Sequence, residues 1–398
     1  MSALPTHRDE NWKYANLRAL ARVRFDDTTT PSAADVSALT DALPDTQHGT
    51  ARVVLVDGHL AAGASSLTAG VHFDSTPGGV AAADRIAAAD ARSGAAATAD
   101  RHFASLNQRH SPGTLCVEVP AGGELDLELW LAATRIGHPS VRIRVDEGAR
   151  LRLAERMLGS TNASALASNV HLSIDCGASA RLELTRVQAF GATHQHVETL
   201  DIALGQAAEC DLTQVTSGGH SSRSSAFVTH SGRASRLHWN VAMLARETQV
   251  HDAYVRIAHD ADEAHTVQRF RGIGTERSRL AFNGHMYVAA GTRDVRTEQS
   301  LKGLLAGGEA EVDLRPQLEI HADAVQAAHG ATLGKLDADM LFYLLSRGIP
   351  PAQAESLLKW AFISDVLRHV PTPAVRRQVE ALLADLLPGS AAARSEVA

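Results

Sequence analysis

Between about residue 115 and residue 320 the chain alternates apolar and polar positions in short runs, the period of strands with one buried face. Small turns separate the runs and keep a register. Gly148, Gly177, Gly205 and Gly232 lie 29, 28 and 27 residues apart, and weaker turns near Asp260 and Gly291 continue the series. Apolar pairs flank each turn: Ile143/Val145 with Leu151/Leu153, Leu172/Ile174 with Leu182/Leu184, and Ile202/Leu204 with Leu212. A fixed period of this size marks a stacked repeat, and a repeat built of strands is a β-helix. A β-sandwich joined by ordinary hairpins is the alternative, but hairpins have no reason to keep a near-constant step. The expected fold is mainly β: a right-handed parallel β-helix core flanked by an N-terminal α/β-helical region and a C-terminal helical domain. The domain limits are expected at 1–114, 115–336 and 337–398.

A β-helix exposes unpaired strand edges at its two ends, and these must be capped or used. Before the core, 8–20 and 80–110 read mostly as helix, with a strand pattern at Val53 to Val56; the Ala- and Thr-rich stretches 26–50 and 87–100 read as links. After it, Leu318, Ile320, Ala322 and Ala324 alternate with Glu319, His321 and Asp323 as a half-buried strand. Gly330 and Gly334 then predict a turn, and Asp337 caps a helix through Met340, Leu341, Leu344 and Leu345 that stops at Gly348 before Pro350. His329 is thereby placed where strand gives way to loop, a common position for a functional side chain.

The helix expected from Pro351 to His369 carries two apolar stripes. Leu357, Leu358, Ala361, Phe362 and Val366 form one; Trp360, Ile363 and Leu367 form the other. The second stripe is either buried by the neighbouring helices, the last of which carries Val375, Val379, Leu382, Leu383 and Leu386, or docks a partner protein.

Composition narrows the function classes. The 398 residues are 44% hydrophobic and only 4% aromatic, so small aliphatic side chains must fill the core. A formal net charge of -7 without any basic run argues against nucleic acid or an anionic membrane surface. No charged start precedes an apolar segment, and no 18-residue apolar run occurs, so the expected compartment is the cytoplasm. Cys116, Cys176 and Cys210 are odd in number and widely spaced, which suits a reducing compartment. The segment from Gly330 to Lys335 is one residue short of a phosphate loop and lacks its hydroxyl, and the glycines at 272 and 274 are too few for a dinucleotide fingerprint. His194 and His196 share a strand face without a matching carboxylate or thiol, and the serines from Ser221 to Ser225 read as a corner or loop.

Several motifs resemble one family. His329, Gly330, Ala331, Thr332, Asp337, Ser346, Arg347 and Gly348 are similar to the end of the core in the SufB/SufD family of iron-sulfur cluster assembly proteins, on its SufD side. Arg8, Glu10, Trp12, Lys13, Tyr14 and Leu17 resemble that family's opening, and the stretch from Phe103 to Gly113 followed by Val117, Val119, Pro120 and Gly122 resembles its entry into the core. Many of its members carry a cysteine two positions before the histidine, where this chain has Ala327, so a thiolate there cannot be essential here.

The resemblance implies a non-catalytic scaffold. Its core would pair with a SufB-like paralogue, and its C-terminal helices would bind the SufC-like ABC ATPase, with Trp360, Ile363 and Leu367 as the docking residues. A transient iron-sulfur cluster, shared with SufB, would form at the junction with His329 as a ligand, and ATP-driven motion would open it. A reduced flavin in the complex is implied by the family alone. Three thiols are too few for a cluster that takes four ligands, so the partner must supply most of them. A polysaccharide-acting β-helix enzyme and a structural homodimer are the rival readings.

Overall fold

The computed structural model describes residues 4–26, 30–44, 50–76, 99–159, 166–368, 370 and 373–386. Its first strands are β1 (Ala51–Val56), β2 (His59–Leu60), β3 (Val71–Asp74), β4 (Thr114–Val119), β5 (Glu124–Ala133), β6 (Ile136–Gly137), β7 (Ser140–Val145) and β8 (Arg150–Gly159). Ten-residue strands follow almost without exception: β9 (Ala167–Cys176), β10 (Arg181–Phe190), β11 (Gln195–Leu204), β12 (Glu209–Gly218), β13 (Ser221–His230) and β14 (Arg236–Ala245). The series ends with β15 (Val250–His259), β16 (His265–Gly274), β17 (Arg279–Val288), β18 (Arg293–Leu305), β19 (Glu311–Ile320) and β20 (Ala324–Lys335).

Successive strands alternate between two sheets, one ordered β2-β1-β5-β8-β10-β12-β14-β16-β18-β20 and the other β19-β17-β15-β13-β11-β9-β7-β4-β3. The fold is a parallel β-helix of about seven turns, flattened to two walls. Within the first wall Arg181 pairs with Glu209, Glu209 with Arg236 and Arg236 with His265, steps of 28, 27 and 29 residues. The sequence period is therefore the length of one turn of the solenoid. Leu172, Ile174, Leu182, Leu184, Ile202, Leu204 and Leu212 all lie in one continuous interior, as the period requires.

The recurring corner explains the recurring glycines. Backbone amides reach from each turn to the next: Ser179 to the Gln206 carbonyl at 2.7 Å, Ala207 to Arg233 at 2.8 Å, Ala234 to Asp262 at 3.0 Å. The left-handed conformations in these turns belong to Ser179, Ala207 and Ala234, not to the glycines beside them. Gly232 is needed for close approach instead, since a Cβ there would lie 2.0 Å from the Gln206 amide nitrogen.

Part of the interior is polar. Arg186 donates two bonds to Glu155, at 2.8 and 2.9 Å, and two to Glu198, at 2.9 and 3.2 Å, with all three side chains essentially unexposed. Burial alone would raise the Glu198 pKa, but Arg186 and the hydrogen bonds hold it well below the usual carboxylate range. His194 and His196 are likewise buried, both bonded to the Ser168 hydroxyl at 2.8 and 2.7 Å. The serines from Ser221 to Ser225 belong to β13 and are buried, correcting their reading as a corner or loop.

Among the described residues the N-terminal segment is less helical than its sequence suggests. It has a 3-10 turn at Glu10–Trp12 and a one-turn helix at Leu17–Leu20, because Trp12, Leu20 and Phe25 dock separately on the outer wall with Phe103. The Arg223 guanidinium lies 4.2 Å from the centre of the Trp12 ring. A helix at Ala33–Thr40, capped by Ser32, occupies a stretch read as a link. Of the helix expected over 80–110, His102–His110 is present and 77–98 lies outside the described residues, as does most of the expected link at 87–100.

Replacing interior Leu212 by Ala should cost about 2–5 kcal/mol, read as a lower urea midpoint. Acid should also destabilise the fold. Burial pushes His138, His251 and His259 down to about 4, below the value of about 6.5 expected on unfolding. The unfolded chain then binds more protons, so their contribution is complete above about pH 6.5 and is lost as the pH falls towards 4. Urea midpoints measured across that range should fall steadily, and a level profile would contradict these neutral buried rings.

Candidate functional site at the open end of the solenoid

The two ends of the core differ. At the N-terminal end, short antiparallel strands close the walls, β2 against β1 and β3 against β4. At the other end β19 and β20 are the last strands, and Ile320 and Leu333 are 41% and 51% exposed.

His329 lies on that open end. The glycine-punctuated turn expected at Gly330 to Gly334 does not form; the whole segment is strand β20, and the chain turns at His321–Asp323 instead. The free edge of β18 dictates this, pairing in register from Val295 with Val325 to Leu305 with Lys335 and overriding weak local strand propensity. His329 is therefore in mid-strand rather than at a strand end.

Its register shows where it faces. Ala327, His329, Ala331 and Leu333 pair with Thr297, Gln299, Leu301 and Gly303, all inward-facing and buried on β18 or, at Gly303, packed against Leu333. The same column runs back through the solenoid as Gln299, Gln268, Trp239, Leu212, Leu184 and Leu153. His329 thus occupies an interior position of a turn on which nothing further is stacked, and so it is exposed.

The chain's thiols are elsewhere. Cys116, Cys176 and Cys210 are buried. Burial pushes Cys176 up to about 12 and Cys210 well above its ordinary value, so neither is a ready thiolate ligand. Among the described residues no group of three or more His, Cys, Asp or Glu could hold a metal ion.

The C-terminal region has helices at Ala338–Ser346, Pro351–Leu367 and Pro373–Leu386. The expected docking stripe is turned inward. Ile363 and Leu367 are 0% and 2% exposed, and Trp360 is half-buried beside them against Val187, Val215, Ala242, Leu244, Ile273 and Leu304 on the outer wall. The stripe therefore holds the helix to the solenoid and is not a free docking surface. Under this helix the outer face of the strands is apolar as well, which hides the outer stripe from a simple alternation pattern. Arg271 adds a bond to Asp365 at 2.9 Å.

Free apolar surface in this region is on the preceding helix, where Met340, Phe342 and Tyr343 are 53%, 72% and 53% exposed. Phe342 and Tyr343 were not singled out by periodicity. Their signal was the unbroken run from Met340 to Leu345, apolar around the whole helix. Among the described residues no helix is long and apolar enough to cross a membrane.

Ile363→Ala should lower the stability of the isolated chain by about 2–5 kcal/mol, whereas Phe342→Ala should leave its melting temperature nearly unchanged. Thermal melts of the two variants check this, and equal effects would contradict the packing described.

The family described as SUF system FeS cluster assembly, SufBD core domain, matches residues 130–362. Iron-sulfur cluster assembly protein SufD of Escherichia coli is 27% identical, covering 98% of this chain and 91% of its own length. A SufBD-family iron-sulfur cluster assembly protein of Synechocystis is 26% identical over 92% of this chain and 84% of its own. The chloroplastic protein ABCI7 of Arabidopsis thaliana is 24% identical, with coverages of 94% and 81%. The solenoid with its open C-terminal end is the core of a SufBD-family protein of iron-sulfur cluster assembly, and this chain belongs to that family.

Proposed function

We propose that this protein is a non-catalytic, cytoplasmic scaffold subunit whose open solenoid end pairs with the core of a SufB-like paralogue. The observation that carries the reading is His329 in the inward-facing row of an uncovered last turn. The unpaired edges of β19 and β20, with Ile320 and Leu333 exposed beside them, offer backbone donors, acceptors and apolar surface to a matching strand end. A neutral imidazole there is a suitable iron ligand. The nascent iron-sulfur cluster is the cargo of the site, and because Ala327 and the buried thiols leave His329 as the soft ligand of its motif, the paralogue supplies the others.

The SufC-like ATPase docks on the exposed face of Ala338–Ser346, with Phe342 and Tyr343 as anchors in place of Trp360, Ile363 and Leu367. Its ATP-driven motion reaches the junction through the adjoining strand β20 and the helix held to the outer wall. Reduced flavin belongs to this reading only as an accessory of the assembled complex, with no residue assigned to it. A second reading, a homodimer, is favoured by the same uncovered edges, which can pair with those of another copy when the paralogue is absent.

His329→Ala should leave a folded chain that assembles with both partners. The assembled variant should show a marked loss of cluster absorbance and of cluster transfer to an acceptor. Wild-type yield would rule out the ligand role, and failure to assemble would make His329 an interface contact. Sizing of the isolated chain, alone and with the paralogue, reads out the homodimer.

A further inference from the structure

The column that ends at His329 changes character towards the open end, and its buried members are incompletely bonded. Gln268 and Gln299 are 0% and 2% exposed. The Gln299 side-chain Nε2 donates to Gln268 Oε1 at 2.7 Å, which turns the Gln299 carbonyl oxygen away from Gln268. That oxygen has no partner among the described residues. The opposite wall is shaped around this pair: a Cβ on Gly284 would lie 2.1 Å from Gln299 Nε2 and 3.0 Å from Gln268 Oε1. Two amides are thus held in the interior by a glycine that leaves them room, with one donor, Gln268 Nε2, left over towards the core and one acceptor, Gln299 Oε1, left over beside the last turn.

A buried acceptor without a donor is unfavourable and calls for an explanation. The residue paired with Gln299 on the next strand is His329, whose side chain faces the same interior row one strand spacing away, roughly 4.8 Å. Thr297 Oγ1 is also unpartnered, but its neighbour Ala327 has no side-chain donor. Of the interior-facing residues on β20 from Ala327 to Leu333, His329 alone carries an N–H that could serve.

We propose that Gln299 is a positioning residue for His329: the two side chains are not bonded in this structure, and a turn of the exposed imidazole lets the buried carbonyl oxygen accept the hydrogen of one ring nitrogen and leaves the other nitrogen as a bare lone pair at the open end. This deepens the reading of His329 as a cluster ligand and rests on it for its purpose. A histidine that binds a metal through one nitrogen commonly donates the other N–H to a carbonyl or carboxylate, which fixes both tautomer and ring orientation. Gln268 holds the Gln299 amide in turn, so the ring is set by a two-residue chain reaching back into the core.

The tautomer of His329 tests this without any cluster present. Long-range proton–nitrogen spectra of the full-length chain, labelled with 15N at histidine and recorded above the ring's titration, distinguish a protonated from a bare nitrogen. The His329 signals are those missing from His329→Asn. Wild-type protein should give two well-separated nitrogen shifts, and Gln299→Leu should move both towards the averaged values of free histidine. Gln299→Glu, which keeps an acceptor at the same length, should retain the wild-type separation and provides the test if the leucine variant does not fold. Averaged shifts in both wild type and Gln299→Glu, or unchanged shifts in a folded Gln299→Leu, would overturn the proposal. In the complex with the SufB-like and SufC-like partners, Gln299→Leu should hold the cluster about 10–100-fold more weakly. A tautomer change in Gln299→Leu with unaltered cluster binding would uphold the Gln299 bond but overturn its role in cluster binding, while the ligand role of His329 itself is read separately from His329→Ala.

Discussion

Stacking in register at a spacing of one strand is the constraint on which this protein is built. Every inward side chain must lie against the corresponding side chain of the turns before and after it, so positions about 28 residues apart share one environment. Leu153, Leu184 and Leu212 form such a column, and the corner amides that bond from turn to turn keep its pitch. Gly232 shows how tight the tolerance is, because its missing Cβ is the space into which the preceding turn fits. Close packing of this kind rewards small aliphatic residues and explains a chain with few aromatics.

The same constraint accommodates charge inside the solenoid. Arg186 is surrounded by two carboxylates, so its desolvation is offset by paired hydrogen bonds rather than left uncompensated. Removing one partner would expose the others to that cost. Since pairing partners are drawn from both walls, Glu155 and Arg186 from one and Glu198 from the other, the triad also joins the walls at a defined register.

The stacking stops differently at the two ends. The N-terminal end is closed by antiparallel strands, while the C-terminal end presents an interior row to solvent with His329 within it. The adjoining helices divide their work. Pro351–Leu367 is held to the outer wall by Ile363, Val366 and Leu367, whereas Ala338–Ser346 keeps Phe342 and Tyr343 uncovered. One helix is part of the body of the protein and its neighbour keeps an apolar face in solvent, and both lie within a short stretch of chain from the open end.

The solenoid and the direction of its interior were legible in the sequence, because Leu172, Ile174, Leu182 and Leu184 repeat at the length of one turn and alternation has only two phases. The motifs around His329 were legible by their resemblance to the family, not by period. The strand character of β20 was not: Gly330 and Gly334 look like a turn, and only the free edge of β18, supplied by residues about 30 positions earlier, makes the segment extended. The fate of Trp360, Ile363 and Leu367 was equally hidden, since an amphipathic stripe fits a partner or the chain's own wall alike. Local sequence determined which residues alternate, where the chain turns and which helices are apolar. Tertiary structure alone decided which apolar faces meet each other and which histidine stands at an uncovered end, because both depend on the order in which distant strands are stacked.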